Sequence, residues 1–244
     1  NLCISGGAPM PGAVREKFEA LTGVYVCEGY GLTECSGVAS TNPFAGPGRP
    51  GTIGHPFPGT RLALLDKDDP CRLAAPGESG ELIVAGPQIM QGYWNRPDAD
   101  AAAFVSLPDE DGQIRRWLRT GDIAVLEEDG YIRIVDRSKD MIAVGGFKVF
   151  PSQVEAVLVD HPAVNEAAVL GLPDAYHGEL PRAFVTLERG ATADPDELRE
   201  WLNARIGKHE RVDRVVIRKA LPKTAIGKLD RKVLRAEALA ETAS

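Results

Sequence analysis

Glycine and proline crowd the start of this chain. Residues 1–60 hold 12 Gly and 7 Pro, about a third of that stretch, against roughly one residue in seven over 61–244. Long helices and long strands are disfavoured there, because glycine is costly inside either and proline breaks both. The segment must consist of turns and close backbone approaches joined by short elements. The full 244 residues suffice for one or two domains with a real core. Hydrophobic residues make up 43% and recur along the whole length, which excludes wholesale disorder. No run of 18 apolar residues occurs, so no membrane-spanning helix is expected. Residue 1 is Asn and no charged-then-apolar leader follows it. No signal peptide is expected, and the start reads as cut.

The short elements of this first stretch alternate. Leu2 to Ile4 reads as a strand end running into Ser5-Gly6-Gly7. Val14, Phe18 and Leu21 share a helix face that Gly23 ends, and Val24-Tyr25-Val26 reads as a second strand. Strand–helix–strand is the α/β pattern. From about residue 50 the runs become β-rich: Arg61 to Asp66, Glu81 to Ala85, Ile123 to Leu126 and Tyr131 to Val135, with Asp129-Gly130 as a hairpin turn. That region reads as a small β-barrel or an antiparallel sheet.

A polar break, Asp136 to Asp140, precedes a compact α+β pattern. Ser152 and Glu155 suggest a capping box opening a helix that Pro162 closes. Val164 to Leu172, Ala183 to Leu187 and Val215 to Ile217 read as strands. Asp194-Pro195 opens a helix with Leu198, Trp201, Leu202 and Ile206 inward and Gly207 as its stop, and Asp230 starts a final helix. A domain boundary is placed near residue 137.

Four cysteines, Cys3, Cys27, Cys35 and Cys71, lack C-x-x-C spacing, which fits reduced thiols in a cytoplasmic protein rather than a zinc site. The formal net charge is −7, but residues 205–235 carry eleven Lys or Arg against three acids, leaving −15 elsewhere. That basic lobe is either a solvated surface or a clamp for a small polyanion. A nucleic-acid-binding module is the non-enzyme alternative, and the acidic remainder argues against it.

Four short runs carry candidate chemistry, and each has an ordinary reading when taken alone. In Tyr30-Gly31-Leu32-Thr33-Glu34, an aromatic ring next to glycine suits a purine, a hydroxyl suits a phosphate, and a carboxylate suits magnesium; alone it is a capped turn. In Thr120-Gly121-Asp122 the acid could accept from a ribose diol, or simply open a strand. Asp136-Arg137-Ser138-Lys139-Asp140 is a hinge or a plain linker. In Pro222 to Lys228 the final lysine could reach phosphoryl charge, or be one more surface lysine.

In this order and at these separations the four runs resemble the acyl-adenylate-forming (ANL) superfamily of acyl-CoA ligases, luciferases and peptide-synthetase adenylation domains. The resemblance covers the whole chain. It extends to Ser5-Gly6-Gly7-Ala8, Gly80-Glu81-Leu82 through Gly86-Pro87, Gly92-Tyr93-Trp94 and Gly145-Gly146-Phe147. Glu28 to Pro43 and Trp117 to Asp140 look most like bacterial long-chain fatty-acid–CoA ligases. An adenylation domain, or an aryl or short-chain acid ligase of the same superfamily, is the alternative.

The resemblance implies an ATP-dependent ligase joining a fatty acid to CoA through an acyl-AMP, with AMP and pyrophosphate released. It implies an α/β plus α+β architecture. Residues 1–136 would end a large AMP-binding domain (α/β segment 1–48, β-barrel-like subdomain 49–136). Residues 137–244 would be a compact, mobile lid with its hinge at 136–140. Gly6, Gly7 and Ala8 would border adenine with Tyr30 and Gly31; Thr33 would touch the α-phosphate and Glu34 would hold Mg2+. Asp122 would bind the ribose with Arg137 beside it, Lys228 would serve adenylation, Lys139 would be the hinge, and Gly145 and Gly146 would line the pantetheine tunnel. Fatty acid, ATP and CoA are the implied partners, with no nucleic acid. Any membrane contact would be peripheral, on the inner face, and the oligomeric state is not implied. The family's phosphate-gripping loop is not found in these residues, so the 244 residues alone are expected not to make acyl-AMP.

Overall fold

A computed structural model describes residues 2–7, 10, 12–66, 69–75, 77–225 and 227–242. The chain divides into two compact units, Asn1–Ser138 and Lys139–Ser244.

The first unit opens with β1 (Cys3–Gly6), α1 (Gly12–Thr22) and β2 (Val26–Tyr30), and β1 and β2 pair in parallel. Gly23 stops α1 at φ +66°, its N–H donating to Glu19 O at 2.8 Å. The expected apolar face of α1 is exposed at Val14, Phe18 and Leu21, as is Ile4. The side chain that α1 buries is a cation: Arg15 bonds Glu19 at 3.0 Å, Glu28 at 3.1 Å and the Pro47 carbonyl. This ties α1 to β2 and to the Gly/Pro-rich loop. The two-residue strands β3 (Ser40–Thr41) and β4 (His55–Pro56) extend the sheet in the order β1-β2-β3-β4.

A second sheet holds β5 (Arg61–Asp66), β6 (Ser79–Ala85), β7 (Phe104–Pro108), β8 (Ile114–Leu126) and β9 (Ile132–Arg137), with α2 (Pro97–Ala103) before β7. Its order is β5-β6-β8-β7, and β9 also pairs with β8. The expected barrel does not close among the described residues. The 13-residue strand β8 takes β7 along 114–118 and β9 along 122–126, end to end on one edge, while β5 lies at the opposite edge. The antiparallel sheet is therefore what forms. Its faces alternate with the strand period. Ile83, Ala85 and Trp117 pack on one side, with the Trp117 indole donating to Leu107 O at 3.1 Å. Leu82, Val84 and Leu118 lie on the other, against Tyr30, Leu32 and Cys35. Asp129-Gly130 forms the β8–β9 turn, with Gly130 at φ +84°.

The second unit has β10 (Ile142–Val144), β11 (Phe147–Val149), α3 (Pro151–Val159), β12 (Val164–Asp174), β13 (Gly178–Leu187), α4 (Pro195–Asn203), β14 (Val215–Ile217) and α5 (Arg231–Thr242). The sheet order is β11-β10-β13-β12, and β14 runs parallel to β13. Both faces are covered. Val169, Ala183 and Val185 meet Leu158 of α3 and Leu198 and Leu202 of α4. Ala168, Leu170 and Phe184 meet Leu234 and Ala238 of α5.

The helix ends depart in part from expectation. Pro151 takes the first helical position of α3, so Phe150 is the N-cap and offers no capping side chain. Glu155 is engaged elsewhere, by Val169 N at 2.7 Å and Arg231 at 2.8 Å, so no capping box forms. Asp194 does cap α4, accepting from Asp196 N and Glu197 N, but α4 ends at Asn203, well before Gly207. Asp230 accepts from Val233 N at 3.1 Å at the start of α5. Among the described residues no helix is long and apolar enough to cross a membrane.

Phe184 is fully buried under α5. Phe184→Ala should therefore cost about 3–5 kcal/mol, the usual loss for emptying an aromatic core site. Urea denaturation followed through Trp201, the one tryptophan of the second unit, measures it. A loss below about 1 kcal/mol would contradict this packing.

Candidate functional site

Ligands in α/β sheets gather at the carboxyl ends of parallel strands. In the first unit, β1 and β2 end side by side with Gly6 opposite Gly29. A cleft of about 410 Å³ opens there, lined by Gly6, Gly7, Tyr30, Gly31 and Thr33. Phe44 and Phe57 add apolar wall. The glycine at 31 is sterically required: a Cβ would lie 1.7 Å from Gly37 O. Gly7 needs its freedom for a different reason, a φ of +82°. Ala8 lies outside the described residues.

Asp122, in the other sheet, is tied to the cleft residue Tyr30. Tyr30 Oη donates to Asp122 Oδ2 at 2.5 Å, and Arg137 Nε lies 3.0 Å from Oδ1. Burial first, then the Asp122 charge, pushes the Tyr30 phenol well above its usual range, so it donates at neutral pH. Asp122 is buried, and a carboxylate keeps further lone-pair sites for a ligand hydroxyl. Its turn is held from below. Thr120 Oγ1 donates to Leu82 O at 2.7 Å and accepts from Asp122 N at 3.1 Å.

Glu81, of the Gly80-Glu81-Leu82 run, also braces this turn. Its buried carboxylate accepts from Gly121 N at 3.0 Å and from Arg119 at 2.6 and 3.0 Å. An acid immediately before the apolar run Leu82 to Ala85 is the signal the sequence carries.

Thr33, Glu34 and Cys35 form a 3-10 turn after Leu32. Thr33 is exposed at the cleft. Glu34 Oε1 accepts from Tyr93 Oη at 2.8 Å, and that bond, more than burial, raises the Tyr93 phenol. Burial, then the Glu34 charge, pushes the Cys35 thiol up to about 11. Among the described residues no three potential ligands cluster for a metal. One carboxylate beside an open cleft does fit magnesium, which commonly takes one or two carboxylates plus substrate phosphates.

The remaining candidates belong to the second unit. Lys228 is exposed on a tight loop in which Lys223 and Leu229 bridge, Thr224 N donates to Lys228 O at 2.7 Å and Gly227 sits at φ +80°. Lys139 is exposed in a 3-10 turn over Ser138–Asp140. Gly145 and Gly146, at φ +55° and +88°, make the two-residue turn between β10 and β11, where positive φ at both central positions is the geometric requirement.

The basic lobe is partly neutralised. Arg218 pairs with Glu237 at 2.8 Å and Glu241 at 2.6 Å, Lys223 with Glu166 at 2.5 Å, Arg231 with Glu155 and Arg235 with Glu179, both at 2.8 Å. Lys208, Arg211, Arg214 and Lys219 have no ion pair among the described residues.

Tyr30 should ionise last of the five tyrosines. Its value in the unfolded chain is about 10. The folded value lies above that, so its contribution to stability is complete below pH ~10 and is lost as pH rises further. Spectrophotometric titration at the tyrosinate band should lose its most alkaline step in Tyr30→Phe. An unchanged final step would contradict the Tyr30–Asp122 bond.

A family model described as AMP-binding enzyme matches residues 1–94, and one described as AMP-binding enzyme C-terminal domain matches 153–228. The chain is 44% identical over 235 residues to the long-chain-fatty-acid–CoA ligase of Bacillus subtilis, covering 96% of this chain and 40% of that protein. It is 38% identical to the 2-succinylbenzoate–CoA ligase of Geobacillus kaustophilus, covering 94% of this chain and 44% of that one. Among solved structures, ATP-bound MatB from Rhodopseudomonas palustris matches with a TM-score of 0.86 at 33% identity, over 97% of this chain and 45% of that one. The chain thus spans about two fifths of the length of the curated ligases it matches. Both domain models, met in order along one chain, assign it to the family of AMP-binding enzymes.

Proposed function

We propose that this chain serves an ATP-dependent long-chain fatty-acid–CoA ligase. One observation carries the reading: Tyr30, on the wall of the glycine-lined cleft, bonds Asp122 of the Thr120–Asp122 turn, in a chain 44% identical to a long-chain-fatty-acid–CoA ligase. In the first half-reaction a carboxylate attacks the α-phosphate of ATP, forming acyl-AMP and releasing pyrophosphate. In the second, the CoA thiol attacks the acyl carbon and AMP leaves. The mixed anhydride is needed because a free carboxylate is a poor acyl donor.

Residues 1–136 are the end of the AMP-binding domain, with 49–136 as its β-rich subdomain, and 137–244 are the lid. Gly6, Gly7, Ala8 and Gly31 give adenine close access to the backbone, and the Tyr30 ring borders it. Asp122, steadied by Tyr30 and Arg137, accepts from the ribose hydroxyls. Thr33 donates to the α-phosphate. Glu34 holds magnesium, which neutralises phosphate charge when bound. Lys228, a compact ammonium on a constrained loop, meets the phosphoryl charge of the adenylation step. Lys139 is the pivot, and Gly145 and Gly146 leave room for pantetheine. Lys208, Arg211, Arg214 and Lys219, without an ion pair among the described residues, are candidates to meet CoA. Free thiols at Cys3, Cys27, Cys35 and Cys71 support a cytoplasmic location.

The intact protein should release pyrophosphate when given fatty acid and ATP, and should release AMP with sustained turnover only when CoA is also present. Turnover with 2-succinylbenzoate and not with fatty acids would move the assignment to an aryl-acid ligase. Lys228→Ala should slow acyl-AMP formation by about 10²–10³-fold, the usual effect of removing one charge-stabilising donor. Thioester formation from supplied acyl-AMP should be spared. Equal losses in both steps would contradict the adenylation role.

A further inference from the structure

We propose that Tyr93 is a positioning residue for Glu34, and through it for the magnesium ion that accompanies ATP; this rests on the reading of Glu34 given above. The Tyr93 hydroxyl donates to Glu34 Oε1 at 2.8 Å. Tyr93 is itself anchored. Its backbone N–H donates to Asp100 Oδ1 in α2 at 2.7 Å. Gly92 makes that approach feasible, because a Cβ there would lie 2.5 Å from Asp100 Oδ2.

The same loop grips the backbone of the Glu34 turn. Met90 N donates to Glu34 O at 2.8 Å, and Ser36 Oγ donates to Gln88 O at 2.9 Å. Residues 88–93 therefore hold both the main chain and the carboxylate of Glu34. With Oε1 engaged, Oε2 carries no hydrogen bond among the described residues and is the oxygen left for a cation. A hydrogen bond to one oxygen of a ligating carboxylate fixes its orientation, and losing such outer partners typically weakens metal binding about 10–100-fold. Tyr93 is 39% exposed, so its ring is not a core anchor and the hydroxyl is its specific asset. The neighbouring Trp94, 90% exposed, makes no such contact and serves as a control.

The test uses the intact protein and calorimetric titration with a non-cleavable ATP analogue, with and without Mg2+. AMP, which binds without the metal, checks that the cleft is intact. In the wild type Mg2+ should strengthen analogue binding, and Glu34→Gln should remove that gain. Tyr93→Phe should cut the gain about tenfold, with AMP affinity kept within about twofold and Trp94→Ala without effect. In the Glu34→Gln background, Tyr93→Phe should change nothing further, which separates positioning from general loosening. A Mg2+ gain that survives Tyr93→Phe but not Glu34→Gln would overturn the role of Tyr93. No gain in the wild type, or a gain unaffected by Glu34→Gln, would overturn the metal role of Glu34 and the present inference with it.

Discussion

One hydrogen bond joins the two sheets of the first unit at the point that matters. Tyr30 leaves the end of a parallel strand in one sheet, and its hydroxyl meets Asp122 in the other. The bond is short, its donor is held neutral by burial, and its acceptor is braced by Arg137. Around it the apolar face of the second sheet packs on Leu32 and Cys35, which sets the turn carrying Thr33 and Glu34. Without that junction the Tyr30–Glu34 and Thr120–Asp122 turns would belong to two separate loops.

Supporting contacts surround this junction. Glu81 fixes the turn before Asp122, while the 88–93 loop fixes the turn holding Glu34. Both supports work through a carboxylate: Glu81 is shared between Gly121 N and Arg119, and Glu34 accepts from Tyr93. Such sharing lets a site made of loops keep a defined geometry, since loop backbone alone would not hold side chains in place.

Much of this was legible in the residues. Arg61–Asp66 and Val215–Ile217 are strands with the bounds read from their apolar runs. The Tyr30–Glu34 and Thr120–Asp122 runs were legible as a pair, and the structure joins them through the Tyr30–Asp122 bond. Other features were not legible, for identifiable reasons. Strand β7 lacks clean alternation, and α2, a run of Asp and Ala after Pro97, has no apolar stripe. The capping box failed because Pro151 claimed the first helical position and Glu155 found a long-range partner in Arg231. The barrel failed because β8 is long enough to take two strands along one edge. Summed charge over 205–235 overstated the basic lobe, since Arg218, Lys223, Arg231 and Arg235 are paired to acids distant in sequence.

The account stands on Asp122 reading an adenine nucleotide beside Tyr30. Titration of the intact protein with AMP, comparing wild type with Asp122→Asn, tests it most directly. Charge-assisted hydrogen bonds are worth about 1.5–3 kcal/mol, so the variant should bind AMP roughly 10–100-fold more weakly. AMP binding that is absent in the wild type, or equal in the two proteins, would contradict the account.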